Sequence, residues 1–297
     1  MTLGSKKSAD CLFARCIYDN LKCMFEGNRL VHVSPILVNK LADFIYHGPE
    51  YVQVICDFDH TLSKYTHNAE RVPVCHGLFI KNSRIPEVCR LRLKELSDFY
   101  SPFETSPDMY AYEKSCLMKE FWNLAHKALV DGNVSREDID CCVMEGGIVL
   151  RNNVNVFVNK LNQLSIPIII FSGGIGNVIE TVLMSSGVSL DNVRVVSNFM
   201  DFNPEGRLVG FQDPIIHCCN KHICITMCIL LIGDSASDAN MVDDRQTFSC
   251  EEVVVIRIGF LNEENDEKLK LFSSLYDLIL LSDETFDVPL FILIIYF

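Results

Sequence analysis

The sequence predicts an α/β protein built on a doubly wound parallel sheet, with a helical cap inserted over one edge. Short apolar runs rich in β-branched residues recur along the chain, which is typical of buried parallel strands. Helical periodicity lies between them, for example over Asn153–Leu164 and Asn177–Ser185. The predicted strands are Val52–Asp57, Ile166–Ser172, Val193–Ser197, Ile229–Gly233, Val253–Ile258 and Leu278–Ser282.

The cap is predicted from the long stretch between the first two strands. It covers roughly 80 residues, far more than a crossover loop needs. Ser135 followed by Asp138 is a plausible helix-capping pair. The predicted helices are Pro86–Phe99, Ala111–Leu129 and Ser135–Val143. We therefore expect an α/β core of residues 1–65 and 148–297 and a cap domain of residues 66–147.

The composition and net charge limit the kinds of molecule that this protein can bind. The chain has 297 residues, 49% of them hydrophobic, which fits a globular protein and excludes a disordered one. Its 26 basic and 39 acidic residues give a net charge of −13, a field that repels polyanions such as DNA and RNA. A small anion held by a metal ion is compatible with that charge.

The expected location is the cytoplasm. The first twenty residues contain no apolar run of the ~7 residues that an export signal needs. The longest apolar stretch, Val288–Phe297, is half of the ~20 residues that span a bilayer. The 14 cysteines are then expected to be reduced thiols rather than disulfides. We expect a monomer that has neither a membrane nor a nucleic-acid partner.

Two carboxylates follow the first predicted strand, in Asp57-Phe58-Asp59-His60-Thr61-Leu62. Ligands of open α/β sheets bind at the carboxyl ends of the strands. Carboxylates at positions i and i+2 there can face one pocket, where one attacks phosphorus and the other handles the leaving-group proton. Taken alone, the motif fits a solvated pair at a strand end better.

A second acidic motif, Gly233-Asp234-Ser235-Ala236-Ser237-Asp238, follows another predicted strand. Carboxylate oxygens with positions left open to water suit Mg²⁺. The alternative is an ordinary turn from strand to helix that Asp caps.

Two further features suit a phosphate group. Phe171-Ser172-Gly173-Gly174-Ile175-Gly176 offers a hydroxyl and backbone N–H groups at the start of a predicted helix. Lys221, in Asn220-Lys221-His222, is a point charge for the phosphate. Each alone is weak, since glycine-rich turns are common and an isolated lysine is usually a surface residue.

Together, and in this order, the four motifs resemble the signature of the haloacid dehalogenase superfamily of aspartate-nucleophile phosphotransferases. A closer resemblance, over about Leu41–Asp287, is to the type III cytosolic 5'-nucleotidases, which are Mg²⁺-dependent. It rests on CDFDHTLS, SIPIIIFSGGIG, VRVVSNFMDFNPEGRLVGF, NKH, ILLIGDSASDANMVDD, IGFLNEENDEKL and YDLILLSDET. The resemblance implies hydrolysis of nucleoside 5'-monophosphates: 7-methylguanosine monophosphate, the pyrimidine nucleotides CMP and UMP, or both.

The resemblance also implies the roles of the chemical residues. Asp57 would be the nucleophile that forms an aspartyl-phosphate, and Asp59 would be the general acid and then the base. Mg²⁺ would be held by Asp57, the Asp59 backbone carbonyl and Asp234, with support from Asp238. The phosphoryl oxygens would be held by Ser172, Gly173 and Lys221.

Base recognition would come from the cap. Glu104 matches the family position that recognises the nucleobase. Trp122 and Ala125 match the methylguanosine-accepting branch, whereas the pyrimidine branch has Tyr and Ser there. A positively charged N7-methylated base would gain cation–π energy on Trp122. Phe79 or His76 could add a second aromatic wall, and the alternative is that Trp122 only packs inside the cap.

The chain departs from the family pattern in two places. Only seven residues, His222–Cys228, connect Lys221 to the next strand, and a parallel crossover normally needs at least ~10–12. We expect a distorted pocket wall beside Lys221, so the alternative function is a catalytically impaired nucleotide-binding isoform. The apolar tail VPLFILIIYF replaces an amphipathic helix and, if exposed, would promote aggregation.

A cluster of histidines and cysteines near Lys221 suggests zinc. Its spacings match no common zinc-finger pattern, so the sequence does not favour that interpretation. The residues are His217, Cys218, Cys219, His222, Cys224 and Cys228.

Overall fold

The computed structural model describes residues 3–25, 27, 29–105, 109–221, 226–242, 247–248 and 251–296. Within them a central sheet has seven strands in the order β1-β13-β12-β9-β2-β5-β6. All neighbours in the sheet are parallel except β1 and β13. The predicted α/β class with a doubly wound parallel sheet is confirmed.

The elements have the following bounds. The helices are α1 Leu3–Phe25, α2 Leu37–His47, α3 Gly77–Lys81, α4 Glu87–Thr105, α5 Ala111–Asp131, α6 Arg136–Glu145, α7 Val154–Gln163, α8 Gly176–Ser185, α9 Asp266–Leu275 and α10 Asp287–Tyr296. The strands are β1 Leu30–Val33, β2 Val52–Cys56, β3 Thr66–His67, β4 Glu70–Arg71, β5 Ile168–Ile175, β6 Val193–Asn198, β7 Met200–Phe202, β8 Leu208–Phe211, β9 Cys228–Gly233, β10 Thr247–Phe248, β11 Glu251–Glu252, β12 Val254–Leu261 and β13 Leu278–Leu281.

The sheet carries an apolar core on each face, because side chains alternate along a strand. On β2, Val54 and Cys56 belong to one buried cluster, whereas Ile55 belongs to the other. All six predicted strands are found. Strands buried on both sides carry uninterrupted apolar runs, which explains the agreement for five of them; the sixth, β6, is an edge strand whose residues are mostly only partly buried. The edge strand β1 was not predicted, because its four residues are too few for such a run and only Leu30 among them is buried.

Between β2 and α7 the chain forms the β3–β4 hairpin and helices α3 to α6. The predicted capping pair is present: the Ser135 hydroxyl accepts from the Asp138 backbone N–H, and the Asp138 carboxylate accepts from the Ser135 backbone N–H. Helix α4 continues past its predicted end at Phe99, because Tyr100 is buried and packs on Phe121. The division into core and cap domains stays a prediction.

The apolar C-terminal tail, which would promote aggregation if it were exposed, is largely covered. The tail forms α10, which packs against α1 and α7. Val288, Ile292 and Leu293 are buried, and the Phe291 ring meets Phe25 edge-on at 5.5 Å. A helix that is apolar all round is stable when neighbouring helices cover most of its faces.

Within the described ranges, none of the helices combines the length and the apolar character needed to cross a membrane.

The packing of α10 generates a stability prediction. Ile292→Ala should lower the free energy of unfolding by about 2–5 kcal/mol, because it leaves a cavity between helices. Ile294→Ala is the matched control. Ile294 is 53% exposed, so its substitution should lower the free energy of unfolding by well under half as much. Chemical denaturation of both variants measures the difference. Equal effects would mean that α10 is not docked.

Candidate active site

Two neighbouring strands deliver carboxylates to the same edge of the sheet. Asp57 follows β2 and Asp234 follows β9, and these strands are in register with Cys56 opposite Ile232. The Asp57 backbone N–H donates to the Ile232 carbonyl at 3.0 Å, which continues the ladder into the turn. Carboxylate oxygens of Asp57, Asp234 and Asp238 all lie within 4.8 Å of one another. The two predicted acidic motifs therefore form one cluster.

Lys221 joins this cluster from the segment that precedes β9. Its Nζ lies 2.5 Å from Asp57 Oδ1 and 3.0 Å from Asp238 Oδ1, and its side chain is buried. Burial alone would lower the pKa of Lys221, but Asp238 and Asp57 raise it above its usual value. Lys221 is therefore a fixed positive charge. The wall predicted to be distorted includes residues 222–225, which lie outside the described residues.

The electrostatics of the cluster fit a divalent cation. Burial raises the pKa of Asp57 to about 7, although Lys221 opposes the shift. Burial and the neighbouring aspartates raise the pKa of Asp234 well above its usual value. Three acidic groups facing one ammonium group leave negative charge uncompensated, and oxygen donors of this kind are those that Mg²⁺ prefers. The residues present fit the predicted metal.

Asp238 is held more tightly than a surface carboxylate. Its Oδ2 accepts from the Ser235 hydroxyl at 2.7 Å and the Ser235 backbone N–H at 3.1 Å, while Oδ1 meets Lys221. A Cβ on Gly233 would lie 2.4 Å from the Asp238 Cβ, so the turn has room only for glycine there. Asp238 thus fixes both the turn after β9 and the position of Lys221.

Asp59 faces a different partner. Its Oδ1 accepts from the Cys75 backbone N–H at 2.9 Å. Burial raises the pKa of Asp59 to about 6, and the hydrogen bonds from Cys75 limit that rise. A Cβ on Gly174 would lie 3.1 Å from Asp59 Oδ2, so the glycine-rich turn closes in beside this carboxyl group.

The glycine-rich turn after β5 is held by Asn198, a residue to which the sequence analysis gave no role. Ser172 is buried, and its hydroxyl accepts from the Gly174 backbone N–H at 3.0 Å. Asn198 Nδ2 donates to the Gly173 carbonyl at 2.8 Å and to the Ile216 carbonyl at 2.9 Å. Asn198 therefore ties this turn to the segment that leads to Lys221. A polar residue ending the apolar run of β6 was the available signal.

Arg151 is the second residue that sequence reasoning missed. It is 2% exposed, and its guanidinium donates to the carbonyls of His60, Thr61 and Asp283. It also donates to Asn262 Oδ1 at 2.7 Å, and Asn262 Nδ2 donates to Asp234 Oδ2 at 3.1 Å. This network connects the turn after β2 with the turn after β9.

The residues predicted to contact a base lie around the cap helices. Glu104 is exposed near the end of α4, just before residues 106–108, which lie outside the described residues. Trp122 is half-buried and Ala125 is buried on α5. Phe79 is fully buried, whereas the His76 ring packs against Trp122 at 4.1 Å between centroids. Of the two suggested aromatic walls, only His76 therefore meets Trp122.

The aromatic group extends to His126, one turn beyond Trp122 on α5. Its ring stacks on Phe211 at 3.7 Å with an interplanar angle of 6°. Both ring nitrogens of His126 are buried without a hydrogen-bond partner, and burial lowers its pKa to about 4. His126 is therefore a neutral ring that joins the cap to the β7–β8 hairpin.

This fold and this cluster define a hydrolase of the haloacid dehalogenase superfamily. A family model for pyrimidine 5'-nucleotidase (UMPH-1) matches residues 60–295. The chain belongs to this family and is a 5'-nucleotidase.

Relatives agree with this assignment. A 7-methylguanosine phosphate-specific 5'-nucleotidase A from Xenopus laevis is 37% identical over 264 residues, 85% of this chain and 90% of the relative. A crystal structure of cytosolic 5'-nucleotidase IIIB bound to cytidine superposes with a TM-score of 0.83 at 29% identity, over 94% of this chain and 96% of that one. A probable phosphoserine phosphatase from Vibrio cholerae, 11% identical with a TM-score of 0.52 over 82% of this chain and 64% of that one, shares the fold.

The Arg151 network generates a second stability prediction. Arg151→Lys keeps the charge but removes donors from buried carbonyls, so we expect a loss of at least about 2 kcal/mol in unfolding free energy. Arg84→Lys is the control, because Arg84 forms an exposed ion pair with Glu145, and such surface pairs contribute little to stability. Thermal and denaturant unfolding compare them. If Arg151→Lys were as stable as Arg84→Lys, the role assigned to the Arg151 network would be wrong.

Proposed function

We propose that this enzyme hydrolyses nucleoside 5'-monophosphates to nucleoside and phosphate, with Asp57 as the nucleophile. The observation that carries the proposal is the position of Asp57, whose Oδ1 meets Lys221 inside a cluster with Asp234 and Asp238. A phosphoryl transition state needs positioning and charge neutralisation more than covalent chemistry from the protein. A buried carboxylate beside a fixed ammonium group meets that need.

Two displacements complete the reaction. Asp57 forms a bond to phosphorus while the bond from phosphorus to the nucleoside O5' breaks, and Asp59 gives that oxygen a proton. Asp59 then takes a proton from a water molecule, whose oxygen attacks phosphorus as the bond to Asp57 breaks. A pKa of about 6 suits Asp59 for both transfers, because a group that titrates near the working pH is an effective acid and base.

Mg²⁺ fits this site and would be held by Asp57, the backbone carbonyl of Asp59 and Asp234, with Asp238 in support. When bound, it neutralises charge on the phosphate and on Asp57. Lys221 would hold a phosphoryl oxygen together with the Ser172 hydroxyl and the Gly173 N–H. Asn198 would keep Ser172 and Gly173 close to the segment that carries Lys221.

Among nucleotides, we propose 7-methylguanosine monophosphate ahead of CMP and UMP. The Xenopus laevis relative is named for the methylated substrate, and Trp122 with Ala125 is the pair expected for that preference. The methylated base is cationic, so stacking on Trp122 is worth about 1–2 kcal/mol in a closed site, and Glu104 adds an opposite charge. The centroids of the His76 and Trp122 rings lie 4.1 Å apart. A base stacked between them needs a van der Waals contact of about 3.5 Å on each side, so the rings would have to separate to about 7 Å.

A cytoplasmic location and a monomeric state belong to the same proposal. The solved relative bound to cytidine is named a cytosolic enzyme. A net charge of −13 keeps copies of the chain apart through mutual repulsion. Sedimentation of the purified chain measures its oligomeric state.

The first test is phosphate release from 7-methylguanosine monophosphate, CMP and UMP, with Mg²⁺ or with EDTA. We expect release that requires Mg²⁺ and falls by at least about 10³-fold in Asp57→Asn, because the nucleophile is lost. Circular dichroism of the variant controls for folding. Absence of release from a folded wild-type chain would overturn the proposal in favour of a catalytically impaired nucleotide-binding isoform.

The second test concerns the base. Trp122→Tyr combined with Ala125→Ser installs the pyrimidine-type pair and should lower kcat/KM for 7-methylguanosine monophosphate relative to CMP by about two- to tenfold, because Tyr is a weaker cation–π partner than Trp. Asn123→Ala, at an exposed site on the same helix, should leave the ratio unchanged. An unchanged ratio in the double variant would mean that Trp122 only packs inside the cap.

A further inference from the structure

The segment before Lys221 brings together soft metal ligands that the phosphatase chemistry does not use. Ligand atoms of His217, Cys218 and Cys219 all lie within 4.8 Å of one another. Over the residues that the structure describes, the aspartate cluster is the only other group of three such ligands this close together. Sequence spacing did not favour zinc, because finger patterns separate the ligands, whereas here one turn gathers three consecutive residues.

The distances match a single ion. Cys218 Sγ and Cys219 Sγ lie 3.6 Å apart. Two thiolates that each lie about 2.3 Å from one tetrahedral Zn²⁺ are about 3.8 Å apart. The two sulfur atoms therefore already lie near the separation that a shared ion imposes.

The turn is held by the protein. Asn220 Oδ1 accepts from the His217 backbone N–H at 2.8 Å, and Asn220 Nδ2 donates to the Ile215 carbonyl at 2.8 Å. The Cys219 backbone N–H donates to His217 Nδ1 at 3.2 Å, which places the imidazole beside the thiols; binding of an ion by Nδ1 would replace this hydrogen bond. The two Asn220 contacts reduce the ordering cost of binding an ion.

An ion can reach these three ligands from solvent. His217 is buried, whereas Cys218 and Cys219 are half-buried and so remain accessible from solvent. The charged groups nearby are Glu104 and Lys114, which act on Cys218, and Lys119, which acts on His217. Two thiolates neutralise a divalent cation, so the complex adds no net charge.

We propose that His217, Cys218 and Cys219 form a binding site for a thiophilic divalent cation of the Zn²⁺ class. Three protein ligands leave a fourth position to water. Thiolate and imidazole ligands prefer such ions over Mg²⁺, so this site and the aspartate cluster select different metals.

The site adjoins the catalytic machinery, which gives it a consequence that rests on the proposed function. Lys221 follows Cys219 by two residues, and a Cβ on Gly173 would lie 3.6 Å from the His217 Cα. An ion bound to the three ligands would hold the turn between the phosphate-binding segment and Lys221 in one position. We expect this restriction of the turn to inhibit the enzyme.

The test is a titration of the full chain with Cd²⁺, in excess Mg²⁺ and a phosphine reductant. The readout is ultraviolet charge-transfer absorption from thiolate to metal, which carboxylate ligands do not give. Cys218→Ser and Cys219→Ser should each bind at least about tenfold more weakly, the size of effect that even outer-shell changes have at metal sites. Cys116→Ser, which removes an exposed thiol on α5, should titrate like the wild type.

The outcomes separate the two proposals. The metal site would be refuted if Cys218→Ser and Cys219→Ser bound Cd²⁺ as tightly as the wild type. It would also be refuted if Cys116→Ser lost as much Cd²⁺ affinity as these two variants. One equivalent of Cd²⁺ should also suppress phosphate release by the wild type and by Cys116→Ser, but not by Cys218→Ser. Equal suppression in all three proteins would refute the inhibitory effect of the bound ion. A chain that releases no phosphate even without Cd²⁺ contradicts the proposed function, while the absorption titration still reports on the site.

Discussion

The contact of Lys221 with Asp57 and Asp238 is the interaction on which the arrangement of this site depends. Parallel strands β2 and β9 bring acidic turns to one edge, where three carboxyl groups lie within 4.8 Å. Carboxyl groups so close together raise one another's pKa values and stay protonated unless a cation compensates their negative charge. Lys221 supplies one positive charge from the described residues, and the remaining deficit is what makes the cluster suitable for a divalent ion.

Most of the surrounding polar network serves to hold turns rather than to react. Arg151 donates to the backbone of the turn after β2, and Asn262 extends that network to Asp234. Asn198 does the same between the glycine-rich turn and the segment that leads to Lys221. Backbone carbonyls at strand ends lose their ladder partners, so buried side-chain donors must replace them. A site made of turns is rigid only when such donors are present.

The segment inserted between β2 and α7, which is the predicted cap, contacts the rest of the chain through defined groups. The backbone N–H of Cys75 donates to Asp59, and the His126 ring stacks on Phe211 of the β7–β8 hairpin. A carboxyl group held by the cap has a pKa that depends on how closely the cap packs, because water raises the polarity around it. In the proposed mechanism, the proton affinity of Asp59 therefore follows the position of the cap.

The sequence by itself determined the class of fold, the six parallel strands and the acidic motifs, because buried parallel strands need uninterrupted apolar runs and their carboxyl ends share one edge. Arg151, Asn198 and the docking of α10 depended on tertiary structure. A buried arginine looks the same in a sequence as an exposed one, and its partners lie up to 132 residues away. An apolar tail is exposed or buried according to which helices lie beside it. Only the folded chain decides which distant backbone groups and faces meet, since burial is a property of packing and not of any single segment.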